Sequence, residues 1–149
     1  MQRFAFLVLI SVAASSATAA GKELAAALVA AAPAADPIAV AQAVQAMQCA
    51  GQPDGEPVSR LVLIDYSRPS TAPRLWVFDL ATRTLSREER VAHGQGSGDN
   101  HATRFSNDPG SHQTSLGLFR TRHPYLRRNG YSLRLEALDP PLTDRAIQP

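Results

Sequence analysis

Cysteine is nearly absent from the sequence: Cys49 is the single one, so no internal disulfide can form. Cys49 falls in a helical pattern, where we expect a buried and unreactive thiol; the alternative is an exposed thiol that pairs between chains. A large excess of charge of one sign is also missing, because 15 basic residues stand against 13 acidic ones. That balance gives no electrostatic reason to bind nucleic acid, and we expect no nucleic-acid partner.

The sequence also lacks an apolar run long enough for a permanent membrane span. The apolar stretch from Phe4 to Ala14 is well under the ~18 residues that a bilayer requires. It follows a basic start at Arg3 and precedes SSATAA, in which Ala17-Thr18-Ala19 fits a small-x-small cleavage pattern. This order is typical of a secretory signal peptide, so we expect residues 1–20 to be removed and the chain to be exported.

Behind that leader the sequence divides into a helical segment, a linker and a β-rich part. Residues 21–50 carry two helical patterns, one from Lys22 to Ala32 and one that begins at Asp36-Pro37 with a capping carboxylate and a proline. Residues 51–57, GQPDGEP, form a turn-rich linker. The β-rich part is residues 58–149.

The apolar pattern becomes strand-like after the linker and predicts five strands. They are expected at Leu61–Asp65, Leu75–Leu80, Thr84–Ala92, Leu116–Phe119 and Tyr131–Glu136. The first should be buried on both faces, the third has a charged middle typical of a sheet edge, and the fifth should have one wet face. Hairpins and one long loop predict a mainly β fold, an antiparallel sheet or sandwich with N-terminal helices, α+β overall.

A long polar stretch begins at Val91 and holds no apolar run until Leu116. Between Val91 and Gly130 lie all four histidines and most of the glycines of the sequence. Loops of such length inside compact domains are uncommon, and they tend to be functional or disordered. Any functional site is therefore expected here.

Three patterns in this stretch could carry chemistry, and each has a plainer alternative. His93-Gly94 could supply a general base at a strand end, or it could be a surface histidine that ends the strand. GQGSG, from Gly94 to Gly98, resembles a phosphate cradle but lacks the Lys-Ser/Thr pair and the following helix, so a flexible loop is expected. Arg127-Arg128 between Tyr125 and Tyr131 is either a basic and aromatic patch or a solvated turn.

The four histidines could also be considered as metal ligands. His93, His101, His112 and His123 are separated by 8, 11 and 11 residues. None of these spacings places two imidazoles on one side of a helix or strand, so we expect no metal site. Nucleophilic catalysis would need a Cys or Ser within hydrogen-bond reach of a base, and Cys49 lies on the far side of the linker.

Seven short sequence blocks follow one another along the β-rich part. The blocks are Asp65-Tyr66-Ser67, Leu75-Trp76-Val77, Ala92-His93-Gly94, Ser97-Gly98, Phe105-Ser106-Asn107, Ser115-Leu116-Gly117 and Gly130-Tyr131-Ser132-Leu133. Together they resemble the murein L,D-transpeptidase catalytic-domain family. The resemblance covers about Ile64 to Asp139, with the family's upstream helical segment at Ala34 to Ala50.

The resemblance implies an enzyme of the periplasm or cell wall that needs no cofactor. Such enzymes cut a peptidoglycan stem peptide and join it to another amine by cysteine acyl transfer. Their histidine ends a later His-Gly strand, and their nucleophile follows in a Ser-x-Gly-Cys segment. Neither segment precedes Gln148-Pro149, and His93-Gly94 belongs to an earlier block. We therefore assign no catalytic residue and expect a C-terminally truncated, inactive chain.

The resemblance also implies a substrate-binding groove, for which the candidate residues are His93, Asn107, Ser115, Gly117 and Tyr131. Gly117 would let a ligand approach the backbone closely. Ser115 and Asn107 offer neutral hydrogen-bonding groups that suit the amides of a stem peptide. The alternative is that Gly117 only eases a strand bend and that Asn107 belongs to a simple turn.

Three interpretations remain open at this point. The chain is an inactive, truncated L,D-transpeptidase-like protein, or a non-catalytic peptidoglycan-binding module, or an unrelated exported β domain. Under the first, strands formed by Leu116–Thr121 and Tyr131–Glu136 should show an exposed apolar face and an unpaired edge.

Overall fold

The computed structural model describes residues 13–51, 57–127 and 130–138. These residues form two α-helices and five strands, which confirms the predicted α+β fold with its mainly antiparallel β part. The elements are α1 (Ala13–Ala31), α2 (Pro37–Ala50), β1 (Arg60–Ile64), β2 (Leu75–Asp79), β3 (Thr84–Glu89), β4 (Phe119–Arg127) and β5 (Gly130–Ala137). The strands form a three-stranded sheet in the order β1-β2-β3 and a separate β4-β5 hairpin.

Helix α1 begins earlier than the sequence pattern predicts. It starts at Ala13, passes through the expected cleavage pattern at Ala17-Thr18-Ala19, and ends before Pro33, as expected. Its alanine-rich composition favours helix. Residues 1–12 of the expected leader lie outside the described residues. Over the described parts of the chain, no helix combines the length and hydropathy that crossing a membrane needs.

Helix α2 has the two ends that its sequence predicts. The Asp36 carboxylate accepts hydrogen bonds from the amides of Ile38, at 2.7 Å, and Ala39, at 3.3 Å, and Pro37 opens the helix. Gly51 closes it in the left-handed region, with φ of 66°. These caps satisfy helix-end groups that would otherwise need water.

The prediction of a buried thiol at Cys49 is wrong, because Cys49 is exposed. The buried side of α2 is formed by Val40 and Val44. At roughly 100° per residue, position 49 lies about half a turn around the helix from position 40. The apolar character of the surrounding residues, many of them alanine, hid this orientation in the sequence.

The core lies between the two helices and one face of the three-stranded sheet. Its fully or nearly fully buried residues are Leu28, Ala32, Ala35, Val40, Val44, Leu61, Trp76 and Phe78. Leu61 pairs with Phe78 across β1 and β2, so both side chains point to the helices. Val62 points to the other side and is 48 % exposed. The prediction that β1 is buried on both faces is therefore wrong, because helices cover one face of the sheet.

Strand β3 is at the edge of its sheet, as its charged middle predicts. It ends at Glu89, three residues before the expected end at Ala92. The turn that leads into it is held by Asp79, whose carboxylate accepts hydrogen bonds from the amide and hydroxyl of Thr82. The hydrogen bond from the Thr82 amide has the larger effect on the Asp79 carboxyl, and the two hydrogen bonds together hold its pKa below the usual value.

The β4-β5 hairpin begins at Phe119, after Leu116 rather than at it. Its register shifts between Thr121 and Pro124, where a proline without an N–H is tolerated. The expected exposed apolar face is confirmed: Leu126 is 78 % and Tyr131 75 % exposed. The prediction of a single wet face on β5 is wrong, because no element among the described residues covers its apolar side.

Candidate functional site

The long loop between β3 and β4 is folded back on itself and held by hydrogen bonds. Its segment 94–98 runs against its segment 111–114. Gly94 N–H donates to the Thr114 hydroxyl at 2.7 Å, and Gly96 N–H donates to the His112 carbonyl at 2.9 Å. The expectation of a flexible loop is therefore wrong, since these contacts give the segment a defined path.

The glycines of GQGSG serve this close backbone packing. A Cβ at Gly94 would collide with the His112 carbonyl, and one at Gly96 would lie 2.7 Å from the Ser111 carbonyl. Gly98 has φ of 141°, which L side chains rarely adopt. The amides of Gly94 and Gly96 are already used inside the protein. Glycine thus lets two backbone segments touch, and the segment is unsuited to holding a phosphate.

Ser97 is the buried centre of the loop. Its Oγ accepts a hydrogen bond from the Thr114 amide at 2.8 Å. Its carbonyl accepts from the amides of Thr103, at 2.8 Å, and Arg104, at 3.1 Å. Its own amide donates to the Gly94 carbonyl. Ser97 therefore ties together three parts of the loop, a role for which its position in the sequence gives no signal.

Arg74, the residue just before β2, joins this loop to the sheet. Its side chain is fully buried. The guanidinium donates to the Val91 carbonyl from Nε and Nη2, at 3.0 and 2.7 Å, and to the Arg68 carbonyl from Nη1, at 2.9 Å. It also lies 5.1 Å from the centre of the Tyr66 ring. Sequence reasoning missed this residue, because an arginine beside a strand usually belongs to the surface.

His93 receives the remaining contact from Arg74. Arg74 Nη2 donates to His93 Nδ1 at 2.8 Å, and His93 Nε2 lies 3.1 Å from the Gly98 carbonyl. A guanidinium can only donate and a carbonyl can only accept, so His93 is the neutral tautomer with its proton on Nε2. Both ring nitrogens are thus engaged within the protein. This geometry leaves neither free to act as a general base.

Tyr66 lies beside the buried arginine, and Phe105 lies beside Tyr66. Their ring centres are 6.1 Å apart, in a tilted arrangement. Burial raises the pKa of the Tyr66 phenol, while the Arg74 charge and a hydrogen bond with Thr114 act in the opposite direction. The Arg68 guanidinium lies 5.3 Å from the centre of the Trp76 ring. The site is therefore a layer of arginines and aromatic rings under a polar loop.

The candidate groove residues are only partly brought together. Ser115 Oγ donates to the Ser106 carbonyl at 3.1 Å, which fixes Ser115 beside the turn that holds Asn107. Gly117 is exposed two residues further on. Tyr131 lies on the exposed face of the hairpin, and among the described residues it has no hydrogen bond or ring contact with the loop.

Gly117 is required for a conformational reason. Its φ is 141°, in the region where an L side chain is strained. A Cβ there would meet the Phe119 ring at 3.7 Å, which is an ordinary contact distance. The space at Gly117 is thus open, and the backbone geometry is what favours glycine.

The other candidate chemistry is dispersed in the structure. Over residues 13–51, 57–127 and 130–138, no three or more His, Cys, Asp or Glu side chains are grouped as metal ligands. Cys49 stands at the exposed C-terminal end of α2 and His93 in the loop beyond β3. Arg128 of the Arg127-Arg128 pair lies outside the described residues.

The fold and loop define an α+β protein in which a hydrogen-bonded polar loop is fixed to a helix-covered sheet through Arg74, beside the central strand. The family model of the L,D-transpeptidase catalytic domain matches residues 31–148, most of the chain. The chain therefore belongs to the L,D-transpeptidase catalytic-domain family, whose members act on peptidoglycan. This confirms the resemblance drawn from the sequence blocks. No curated protein and no solved structure matches the chain.

Proposed function

We propose that the chain is exported and binds the stem peptides of peptidoglycan through the surface formed by Ser106, Asn107 and Ser115–Gly117, which we call the loop face. The observation that carries the proposal is the family match over residues 31–148, in a chain whose long loop is fixed rather than free. A family that acts on peptidoglycan needs a surface for peptide amides. The loop face offers that chemistry on a rigid support.

The backbone of Gly117 is the most accessible part of the loop face. Gly117 is exposed, and neither its N–H nor its C=O has a partner within the described residues. A peptide backbone presents the same two groups, so an extended stem peptide could pair with it. Ser115, fixed by its bond to the Ser106 carbonyl, places a hydroxyl oxygen two residues away.

Export is supported by the basic start, the apolar stretch and the small-residue pattern of residues 1–20. Removal of these residues would shorten α1 without opening the core. The core residues of α1, Leu28 with Ala32 just beyond its end, lie well after position 20. Three partly buried residues that pack against the core also lie after position 20: Leu24, Ala25 and Val29. The shortened chain should therefore keep the same core.

Binding without acyl transfer is the activity that we propose for the 149-residue polypeptide by itself. Thiol acyl transfer needs a cysteine within hydrogen-bond reach of a base. The one thiol of this sequence, Cys49, is exposed on α2, and the ring nitrogens of His93 are held by Arg74 and Gly98. The polypeptide should therefore form no acyl-enzyme with a tetrapeptide stem.

Co-sedimentation with purified peptidoglycan sacculi tests the proposed function. Residues 21–149 should sediment with intact sacculi and stay in solution with glycan strands from which the stem peptides have been removed. Gly117→Ala should weaken retention, because it strains the loop face, whereas Ser86→Ala on the exposed strand β3 should not. Equal retention on both polymers, or no retention on either, would remove the basis for the proposal.

A further inference from the structure

The buried cation of Arg74 is stabilised by neutral groups, since no carboxylate in the described part of the chain pairs with it. Three of its contacts are the carbonyls of Val91 and Arg68 and the ring of Tyr66. Burying a charge costs free energy unless hydrogen bonds replace the lost water. The remaining contact is His93 Nδ1, which accepts only in the tautomer with the proton on Nε2. Arg74 thus selects the tautomer of His93.

The selected tautomer turns His93 into a donor towards the loop. Its Nε2 proton points to the Gly98 carbonyl, at 3.1 Å. Gly98 follows Ser97, whose hydroxyl and carbonyl bind Thr114, Thr103 and Arg104. One continuous set of hydrogen bonds therefore leads from the guanidinium, through the imidazole, to the backbone that crosses the loop.

The same set of bonds ends at the loop face. Thr114, held by Ser97, is followed directly by Ser115, and the Thr114 carbonyl accepts from the Ser106 amide at 3.2 Å. Ser115 Oγ in turn binds the Ser106 carbonyl. Each side of the loop face is thus attached to the arginine by these hydrogen bonds together with the peptide links Ser97–Gly98 and Thr114–Ser115.

We propose that Arg74 and His93 are positioning residues: the arginine fixes the imidazole as a donor, and the imidazole holds the loop so that the loop face is presented to a stem peptide. The second half of this statement rests on the proposed function. His93 neither takes a proton nor touches substrate in this role. The role differs from the general base that the sequence left as one alternative and from the substrate contact that the resemblance implied. Its effect on binding is exerted through Gly98 and Ser97.

Two substitutions of His93 each keep one of the two hydrogen bonds of the imidazole and remove the other. His93→Asn keeps an acceptor near the position of Nδ1 and loses the donor to Gly98, whereas His93→Gln keeps a donor near Nε2 and loses the acceptor for Arg74. If His93 acts through Gly98, the amides of 97–114 should exchange with solvent about fivefold faster in His93→Asn and His93→Ala than in His93→Gln. Wild-type protection by the Asn variant, or unchanged exchange in the Ala variant, would overturn the proposal.

The tautomer is measured directly on the unmodified chain, which keeps the proposal testable if a variant fails to fold. Ring ¹⁵N spectra of histidine-labelled protein should show His93, identified by the signals that vanish in His93→Gln, with its single proton on Nε2. Replacement of Arg74 by Lys, which cannot reproduce the planar fork, should alter that signal. A proton on Nδ1 of His93 would contradict the assignment.

Sacculus binding separates this inference from the proposed function. If no chain, wild type included, binds sacculi while exchange follows the predicted order, the proposed function fails and the loop-ordering role of His93 stands. If wild type binds and His93→Ala binds equally well with a loosened loop, positioning towards the stem peptide is refuted. About tenfold weaker binding by His93→Ala, with His93→Gln close to wild type, supports the whole proposal.

Discussion

Removal of the buried Ser97 hydroxyl should destabilise the protein more than removal of an exposed serine hydroxyl. Ser97 is fully buried, and its Oγ accepts the Thr114 amide at 2.8 Å. In Ser97→Ala the amide would lose that acceptor in a partly buried site. A buried donor left unpaired costs about 1–3 kcal/mol. We expect about 1.5 kcal/mol here, because the Thr114 region is only partly buried.

The expected loss can be measured by urea and thermal unfolding followed by circular dichroism. At about 1.5 kcal/mol, the melting temperature should fall by roughly 3–10 °C for a chain of this size. The denaturant slope should stay unchanged, since the substitution exposes no new surface. Ser86→Ala, on the exposed edge strand β3, is the matched control and should change stability by less than about 0.5 kcal/mol. Equal stability of the two variants would refute the view that hydrogen bonds through Ser97 hold the loop.

Three further predictions follow from the described contacts. Asp36→Ala should destabilise the protein by about 1 kcal/mol in urea unfolding, because two amides of α2 lose their cap, while Asp36→Asn should cost much less. Burial raises the pKa of the Tyr66 phenol above its usual 10.0 in the folded protein. The contribution of Tyr66 to stability is therefore complete below the pKa of the unfolded chain and is lost as the pH rises through the folded-state pKa. The free energy of unfolding, measured from about pH 9 upward, should show a decrease that Tyr66→Phe lacks. Exposed Cys49 should react with a thiol reagent in the native protein as fast as in urea, and Cys49→Ser should leave the melting temperature unchanged; slow native labelling would count against its exposed position.

The fold was predictable where local chemistry decides it. Asp36-Pro37 and Gly51 fix the two ends of α2 through caps that the sequence shows directly. The charged middle of β3 placed that strand at a sheet edge, where solvated side chains are tolerated. In these cases the residue and its partner lie within a few positions of each other, so a single sequence contains both.

Contacts between distant polar residues were not predictable. Arg74 and His93, or Ser97 and Thr114, are 19 and 17 positions apart and leave no hydropathy pattern. A polar loop ordered by such bonds has the composition of a flexible one. The prediction that both faces of β1 are buried was wrong for a related reason. Leu61 and Val62 are both apolar, so the sequence does not show that helices cover one side of the sheet only.

The family blocks contain several residues of the candidate site, but the sequence does not show how those residues contact one another. Ala92-His93-Gly94 and Ser97-Gly98 appeared as fragments of a resemblance. The structure joins them through the contact of His93 Nε2 with the Gly98 carbonyl and the hydrogen bond from the Ser97 amide to the Gly94 carbonyl. Asn107, Ser115 and Gly117 remain predicted contacts of a stem peptide. Tyr131 remains a prediction as well, on the exposed face of the hairpin.

The central claim is that a fixed polar loop presents a peptide-binding face, and amide chemical shifts test it most directly. Isotope-labelled protein should be titrated with a synthetic tetrapeptide stem and, separately, with the same stem lacking its diamino acid. The account predicts saturable shifts at Ser106 and from Ser115 to Gly117 with the intact stem, and none on the exposed edge strand β3. Shifts confined to other surfaces, or no shifts at millimolar stem peptide, would contradict it.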